Sequence, residues 1–380
     1  MKVWAVLIVL FLTACNLQSQ GKERHDSGPV KNCETGGSSG IAWHLLKDKN
    51  CNRLSDYRLF QDANNPLENP SGPGIAYQLA TELFSDYAHK HRFLYVPEGS
   101  VEYDGVDVFQ LPVGSVIAKT FVLPVSNKSE YARDIVETRL LIHRENGWIG
   151  LPYVWNENRT DAFLVVTGER IAKYISIDGV GVGFEYEIPT AADCKTCHIS
   201  RSSDSSKIVP IGLKARHLNI EVSYEGRKLN QLSLWEGAGL LSGLPDARSE
   251  IAGIPVWEDE TRSLQDRAKG YLDINCSHCH TPGGSGSESG MFLEYWRDAL
   301  YFDHGICKRP GGYNGGQKGL VFDIVPGNAD QSLIPYRMGL LASEGDEKGQ
   351  MPPIARHLNH KEGIRLISDW IDSMPARDCL

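Results

Sequence analysis

The sequence predicts a multidomain chain, an N-terminal all-β domain of sandwich or barrel type followed by mainly α domains. Three observations predict it. Between residues 41 and 189, short runs rich in Val, Ile, Tyr, Phe and Thr are separated by Gly, Pro, Asn and Asp turns, the spacing of a sandwich or barrel. After residue 190 two stretches, Cys194-Lys-Thr-Cys197-His198 and Cys276-Ser-His-Cys279-His280, share the pattern C-x-x-C-H. Before the second of them, and again near the C-terminus, apolar residues recur at helical spacing.

The first element is a leader. Lys2 precedes an apolar run from Val3 to Leu12, then Thr13-Ala14-Cys15. A basic start, an apolar stretch and a small-residue cleavage site make residues 1–14 a signal peptide. Leu12-Thr13-Ala14-Cys15 also resembles a bacterial lipobox, which implies a lipid on Cys15; an ordinary secretory signal is the alternative. No other long apolar run occurs, so the expected membrane contact is the lipid anchor alone. Asn16 as second mature residue resembles Gram-negative sorting signals for the outer membrane. Residues 15–40 are polar and end in Gly36-Gly37-Ser38-Ser39-Gly40, a flexible lipid-anchored tether.

Residues 41–189 are the β-rich domain. Expected strands are Arg92–Val96, Asp107–Leu111, Ser115–Leu123, Ile135–His143, Ala162–Thr167, Ile171–Ile177 and Gly181–Ile188. Glu137 to His143 and Gly147 to Gly150 read as a hairpin. Tyr153, Trp155 and Phe163 suit its core. Gly179-Val-Gly-Val-Gly183 lies between strand patterns and opens no helix, so it is no nucleotide loop.

Residues 190–258 hold the first motif. Thr190 and Asp193 make a capping box for a short helix through Cys194 and His198. Leu229, Leu232, Trp235 and Leu240 suggest one helix over Glu225–Leu241. Residues 259–380 hold the second. Leu264, Ala268, Tyr271 and Leu272 form one face of a helix running into Cys276. Gly-rich loops follow, then Met351-Pro352-Pro353 and a closing helix with Ile364, Ile367, Trp370 and Ile371 on one side.

C-x-x-C-H is the attachment site of a c-type haem. Two thiols add to the vinyl groups at one porphyrin edge, and the next histidine becomes the proximal iron ligand. The pattern therefore predicts two haem c groups, held by Cys194 and Cys197 with His198, and by Cys276 and Cys279 with His280. A zinc site built on both C-x-x-C pairs is the bland alternative. Zinc ribbons space their pairs about 15–20 residues apart, whereas Cys194 and Cys276 are 82 apart. Cys33, Cys51, Cys307 and Cys379 remain, an even number in an oxidising compartment. They allow three pairings. Cys33 with Cys51 closes a short loop near the tether, and Cys307 with Cys379 staples the chain end, so these two are expected; free thiols are the alternative.

Residues 259–380 resemble a class I cytochrome c domain. The resemblance rests on the helix ending in Cys276–His280, the Met-Pro-Pro segment and the helix around Trp370. It implies that Met351 is the sixth ligand of the second iron and that the terminal helices cross at an aromatic contact, Tyr271 with Trp370. It also makes the predicted mainly α domains cytochrome c-type haem domains. Over nearly its whole mature length the chain further resembles a family of dihaem c-type cytochrome lipoproteins. The matching segments include Lys119-Thr-Phe121, Glu137-Thr-Arg-Leu-Leu141, Pro152-Tyr-Val-Trp-Asn156 and Pro210-Ile-Gly-Leu-Lys-Ala-Arg216.

The first iron lacks an evident sixth ligand. His217 is one candidate. Met291, Met338, Met374, His89, His91 and His143 are others, and an open iron is the last. Closed irons make the protein an electron carrier of the bacterial envelope, with redox partner proteins and no enzymatic activity, and this is the expected function. An open first iron would suit an oxidoreductase of dihaem-peroxidase type. A β domain that binds a ligand for a redox partner is the third alternative. The chain carries a formal charge of −9 and no Lys/Arg-rich run. Nucleic acid is thereby a poor partner, and a positively charged redox protein a better one.

Overall fold

Alternation between the two sides of one antiparallel sheet organises the protein. Its strands are β1 (Ile75–Ala76), β2 (His89–Tyr95), β4 (Val116–Pro124), β5 (Ala132–Arg144), β6 (Gly147–Trp155) and β7 (Ala162–Leu164), hydrogen-bonded in that order. A further short strand, β3 (Val101–Glu102), lies outside it. The structure, a computed structural model, describes Cys33 and residues 40–129, 132–201, 205–341 and 349–380. Cys15, the leader and most of the tether lie outside these residues.

Register fixes which side chains share a face. Phe93 pairs with Ala118, which pairs with Leu140, which pairs with Leu151. That row, with Tyr95, Val116, Ile142 and Tyr153, packs against α1 (Trp43–Asp48) and the segment carrying Leu54, Tyr57, Leu59 and Phe60. A bond between Cys33 and Cys51 (S–S 2.01 Å) holds the start of this layer. The neighbouring row, one residue along each strand, points the other way. It carries Leu94, Ile117 and Leu141, which join a second core with Leu213, Leu218, Leu232 and Trp235.

Everything after residue 166 is built on that second face or beside it. Strands β8 (Glu169–Ile177) and β9 (Val180–Ile188) form a hairpin, followed by α2 (Ala191–His198). Hairpin β10 (Ile199–Arg201) with β11 (Ser206–Ile208) comes next, then α3 (Ala215–Leu218) and hairpin β12 (Glu221–Tyr224) with β13 (Arg227–Asn230). After α4 (Gln231–Gly237), strand β14 (Leu241–Ser242) runs parallel to β3. Helix α5 (Leu264–Leu272) leads into a π-turn over Asp273–Ser277, and α6 (Leu333–Gly339) and α7 (Lys361–Asp372) complete the chain. Cys307 is bonded to Cys379 (S–S 2.03 Å).

This corrects the expected fold class. Strand accounts for 27% and helix for 23% of the structure, so β-structure leads and residues 190–380 are not mainly α. Among the described residues the longest helix, α7, has 12 residues, and most of residues 190–380 are turns, loops and short strands. Asn32–Leu380 pack as one compact unit. Phe84 N donates to Asn275 Oδ1, and Asp86 accepts from the backbone of His357 and Leu358.

Local physics explains the departures. The helix expected over Glu225–Leu241 begins only after Asn230, whose side chain caps Leu232 and Ser233. Glu225 and Gly226 both have positive φ (48° and 74°), the conformation that a tight hairpin turn demands and a helix excludes. Asp107–Leu111 makes only isolated bridges, Val108 to Lys214 and Gln110 to Glu102. The expected Tyr271–Trp370 contact is replaced too. Trp370 meets His304 edge-on, at 6.1 Å between centroids, whereas Tyr271 lies beside a tilted His360 ring, its hydroxyl 2.8 Å from Nδ1. Helices α5 and α7 approach at Gly363, where a Cβ would overlap the Tyr271 hydroxyl and lie 2.7 Å from His360 Nδ1.

Gly363→Ala is therefore expected to lower stability by about 1–3 kcal/mol through overpacking. Urea unfolding checks this; an unchanged midpoint would contradict the close crossing.

Candidate cofactor site

The first motif lies on α2, which starts at the expected capping box: Asp193 N donates to Thr190 Oγ1, and Thr190 N donates to Asp193 Oδ2. The helix rests on β6 at Gly150, where a Cβ would sit 3.0 Å from Cys194 Sγ. The chain then turns through β10 and β11, which brings the Val209 carbonyl to within 2.7 Å of His198 Nδ1. A carbonyl only accepts, so Nδ1 carries the proton and the Nε2 lone pair is left free. Burial, then the neighbouring Lys119 ammonium, pushes the His198 imidazole down to about 3, so it is neutral.

The second motif follows the same logic with different parts. Cys276 lies in the π-turn after α5, and His280 N bonds back to Cys276 O at 2.9 Å. His280 Nδ1 lies 3.2 Å from Ser289 Oγ, which donates its own hydrogen to Gly286 O. Ser289 therefore accepts from His280, and again Nε2 is free. Burial pushes the Cys276 thiol up to about 12 and the His280 imidazole down.

Each motif opens on its own cleft. Cys194, Cys197 and His198 line one of about 1220 Å³, walled by Leu79, Ile117, Phe121, Leu141 and Ile211. Cys276, Cys279 and His280 line another of about 1000 Å³, with Met291, Leu293, Ile334, Met338, Met351 and Pro353. Phe84, Cys197, Asn275, His278, Pro352 and Arg356 line both. The Met-Pro-Pro strap is thus part of the partition between the two clefts. At that partition Cys197 Sγ, Cys279 Sγ and a His278 nitrogen lie within 4.8 Å of one another. The closeness of the two sulfurs pushes the Cys197 thiol up and the Cys279 thiol down.

That geometry bears on the zinc alternative. Cys194 and Cys276 stand outside the cluster of Cys197, His278 and Cys279. The four cysteines do not converge, whereas a structural zinc needs four ligands around one point. Two separate thiol pairs, each with a neutral imidazole and an apolar cleft, suit two flat apolar cofactors instead.

His217 is not where the sequence expectation put it. It borders a neighbouring cavity rather than the cleft of His198. Its Nε2 lies 3.4 Å from Asp273 Oδ2, and both residues are buried. Asp273 also receives Arg216 through Nε and, at 3.1 Å, Nη2, and the Ser277 hydroxyl at 2.7 Å. Despite burial, His217 and Arg216 hold its carboxyl well below the usual range. This buried pair pins the π-turn of the second motif to α3. Of the other candidate ligands, Met291 and Met338 line the second cleft, and Met374 sits in the core. His89 and His143 are tied to carbonyls of Ser129 and Leu111. His91, like these, is absent from the walls of the first cleft.

Sequence reasoning missed a cationic row on the second sheet face. Arg92 pairs with Lys119 across β2 and β4, and Lys119 with Arg139 across β4 and β5. All three line the first cleft. Arg92 is paired to Glu82 at 2.7 Å and Arg139 to the fully buried Glu137 at 2.6 Å. Lys119 has no such acid; its amine lies 5.1 Å from the Phe121 ring. Burial and the charges of Arg139, Arg92 and Lys90 push it down to about 7. The available signal was slight: Lys119 is the one charged residue in β4, whereas β2 and β5 carry several basic residues each.

Searches of family models, curated proteins and solved structures give no match to this chain.

Asp273→Asn leaves Arg216 buried without its counter-charge. A loss of about 3–5 kcal/mol is expected, measured by chemical denaturation at pH 7. Because the Asp273 pKa is depressed on folding, its contribution is present above the unfolded carboxylate value and is lost as pH falls below it. The gap between wild type and variant should therefore narrow in acid. A constant gap would contradict the assignment.

Proposed function

We propose that the chain is an exported dihaem c-type cytochrome lipoprotein that carries electrons in the bacterial envelope. One observation carries this reading. Each C-x-x-C-H motif faces its own apolar cleft, and each following histidine has Nδ1 occupied and Nε2 free. Cys194 and Cys197 would hold one porphyrin, with His198 as proximal ligand. Cys276 and Cys279 would hold the other, with His280 as proximal ligand and Met351, on the same cleft, as the thioether ligand. When bound, haem c supplies reversible one-electron chemistry at its iron. The protein's own part is to attach, orient and shield. With Cys197 and Cys279 close together, the two attachment edges would lie side by side, an arrangement that would favour exchange between the two centres.

The lipid on Cys15, the outer-membrane location and a positively charged redox partner belong to the same proposal. Among the described residues no helix is long and apolar enough to cross a membrane. A dihaem oxidoreductase with an open first iron is the second reading. It is favoured by the absence of methionine from the walls of the first cleft.

Pyridine-haemochrome assay of protein made in a c-type maturation strain is expected to give two haems per chain. Replacing Cys194 and Cys197 with Ala should halve that number. A haem-free protein containing zinc would sink the reading. In the dithionite-reduced protein, Met351→Ala should add one carbon monoxide bound per chain relative to wild type, followed in the Soret band. An unchanged stoichiometry would remove Met351 from the second iron.

A further inference from the structure

We propose that Lys119 is the second axial ligand of the first haem, its amine completing the coordination begun by His198. The inference rests on the two-haem reading and deepens it. The argument starts from position. Lys119 stands in the middle of the cationic row on the second sheet face and lines the same cleft as His198.

The second step is its lack of a partner. Among the described residues, the Lys119 amine makes no hydrogen bond and no ion pair, while Arg92 and Arg139 beside it each hold a carboxylate. A half-buried ammonium between two guanidinium groups is unfavourable. The neutral amine escapes that cost, releasing its proton to solvent through the open cleft. Its lone pair is then free to bind a Lewis acid, and a metal ion in the cleft is one that the apolar Phe121 and Ile117 beside it cannot replace. Arginine could not play this part, since its guanidinium stays protonated.

Third, the methionines and His217 are engaged elsewhere, while His278 keeps a buried Nδ1 without a hydrogen bond and is the competitor that the test below addresses. Met351, Met291 and Met338 line the second cleft. His217 bonds Asp273. His278 lines the first cleft, but one of its nitrogens lies against the sulfurs of Cys197 and Cys279, at the attachment edge.

Ferric wild type, Lys119→Arg, Lys119→Ala and His278→Ala, each purified in full length, test the proposal by electron paramagnetic resonance and haem count. Lys119→Arg keeps the charge and approximate length but removes the lone pair. The expected result is two low-spin irons in wild type. Both Lys119 variants should show one high-spin iron of the two, with the haem count still two. Methylamine added to Lys119→Ala should restore the low-spin signal. A low-spin Lys119→Arg protein would overturn the proposal, as would a high-spin iron already present in wild type. So would a first iron opened by His278→Ala and not by Lys119→Ala. A wild-type count below two haems would strike the underlying reading instead.

Discussion

Asp273 is the constraint on which the rest of the site depends. Its carboxylate takes Arg216 and His217 from α3 and Ser277 from its own turn. The two charges are fully removed from water, so neither could be left alone without a large penalty. The π-turn that carries Cys276 must therefore lie against α3, and α3 in turn is held by the Leu213, Ala215 and Leu218 contacts with the sheet. Two motifs 82 residues apart meet because one buried acid has only one place to sit.

The sheet supplies the other half of the arrangement. One face is an ordinary apolar core under α1, and the same strands turn a mixed face toward the first cleft. Leu94, Ile117 and Leu141 pack, while Arg92, Lys119 and Arg139 form the next row on the same face, two residues along each strand. A packing surface and a charged wall are thus parts of a single pleated face. The β region is in this sense part of the candidate site and not an appendage to it. Pro352 and Arg356 close the wall from the opposite end of the chain.

Much of this was legible in the sequence. Strands β2, β4, β5, β8 and β9 follow from β-branched runs between turn residues, and the capping box at Thr190 follows from spacing alone. The motif residues needed no fold to be recognised. What was not legible depended on contacts far apart in sequence. His217 reads as a ligand until Asp273 is seen beside it. Tyr271 and Trp370 read as partners until Gly363 lets α7 come close to one and His304 takes the other. Lys119 carries no local signal of its role, because its isolation follows from the pairing of Arg92 and Arg139 with other residues. The expected α character of residues 190–380 failed because each C-x-x-C-H stretch occupies only a turn or two of helix, and the intervening loops are too rich in Gly and Pro to continue it.

The contact between Cys197 and Cys279 also sets a sequence of events in the cell. On the proposed reading, the compartment that joins Cys33 to Cys51 and Cys307 to Cys379 would equally oxidise two thiols whose sulfurs already lie within 4.8 Å of each other. Once linked to each other, they would be closed to any porphyrin. Cofactor loading must then come before the two motifs meet, while Arg216 and Asp273 are still apart. On the proposed reading the biogenesis of the protein is a race between attachment and folding, and the factors that keep these four thiols reduced decide who wins it.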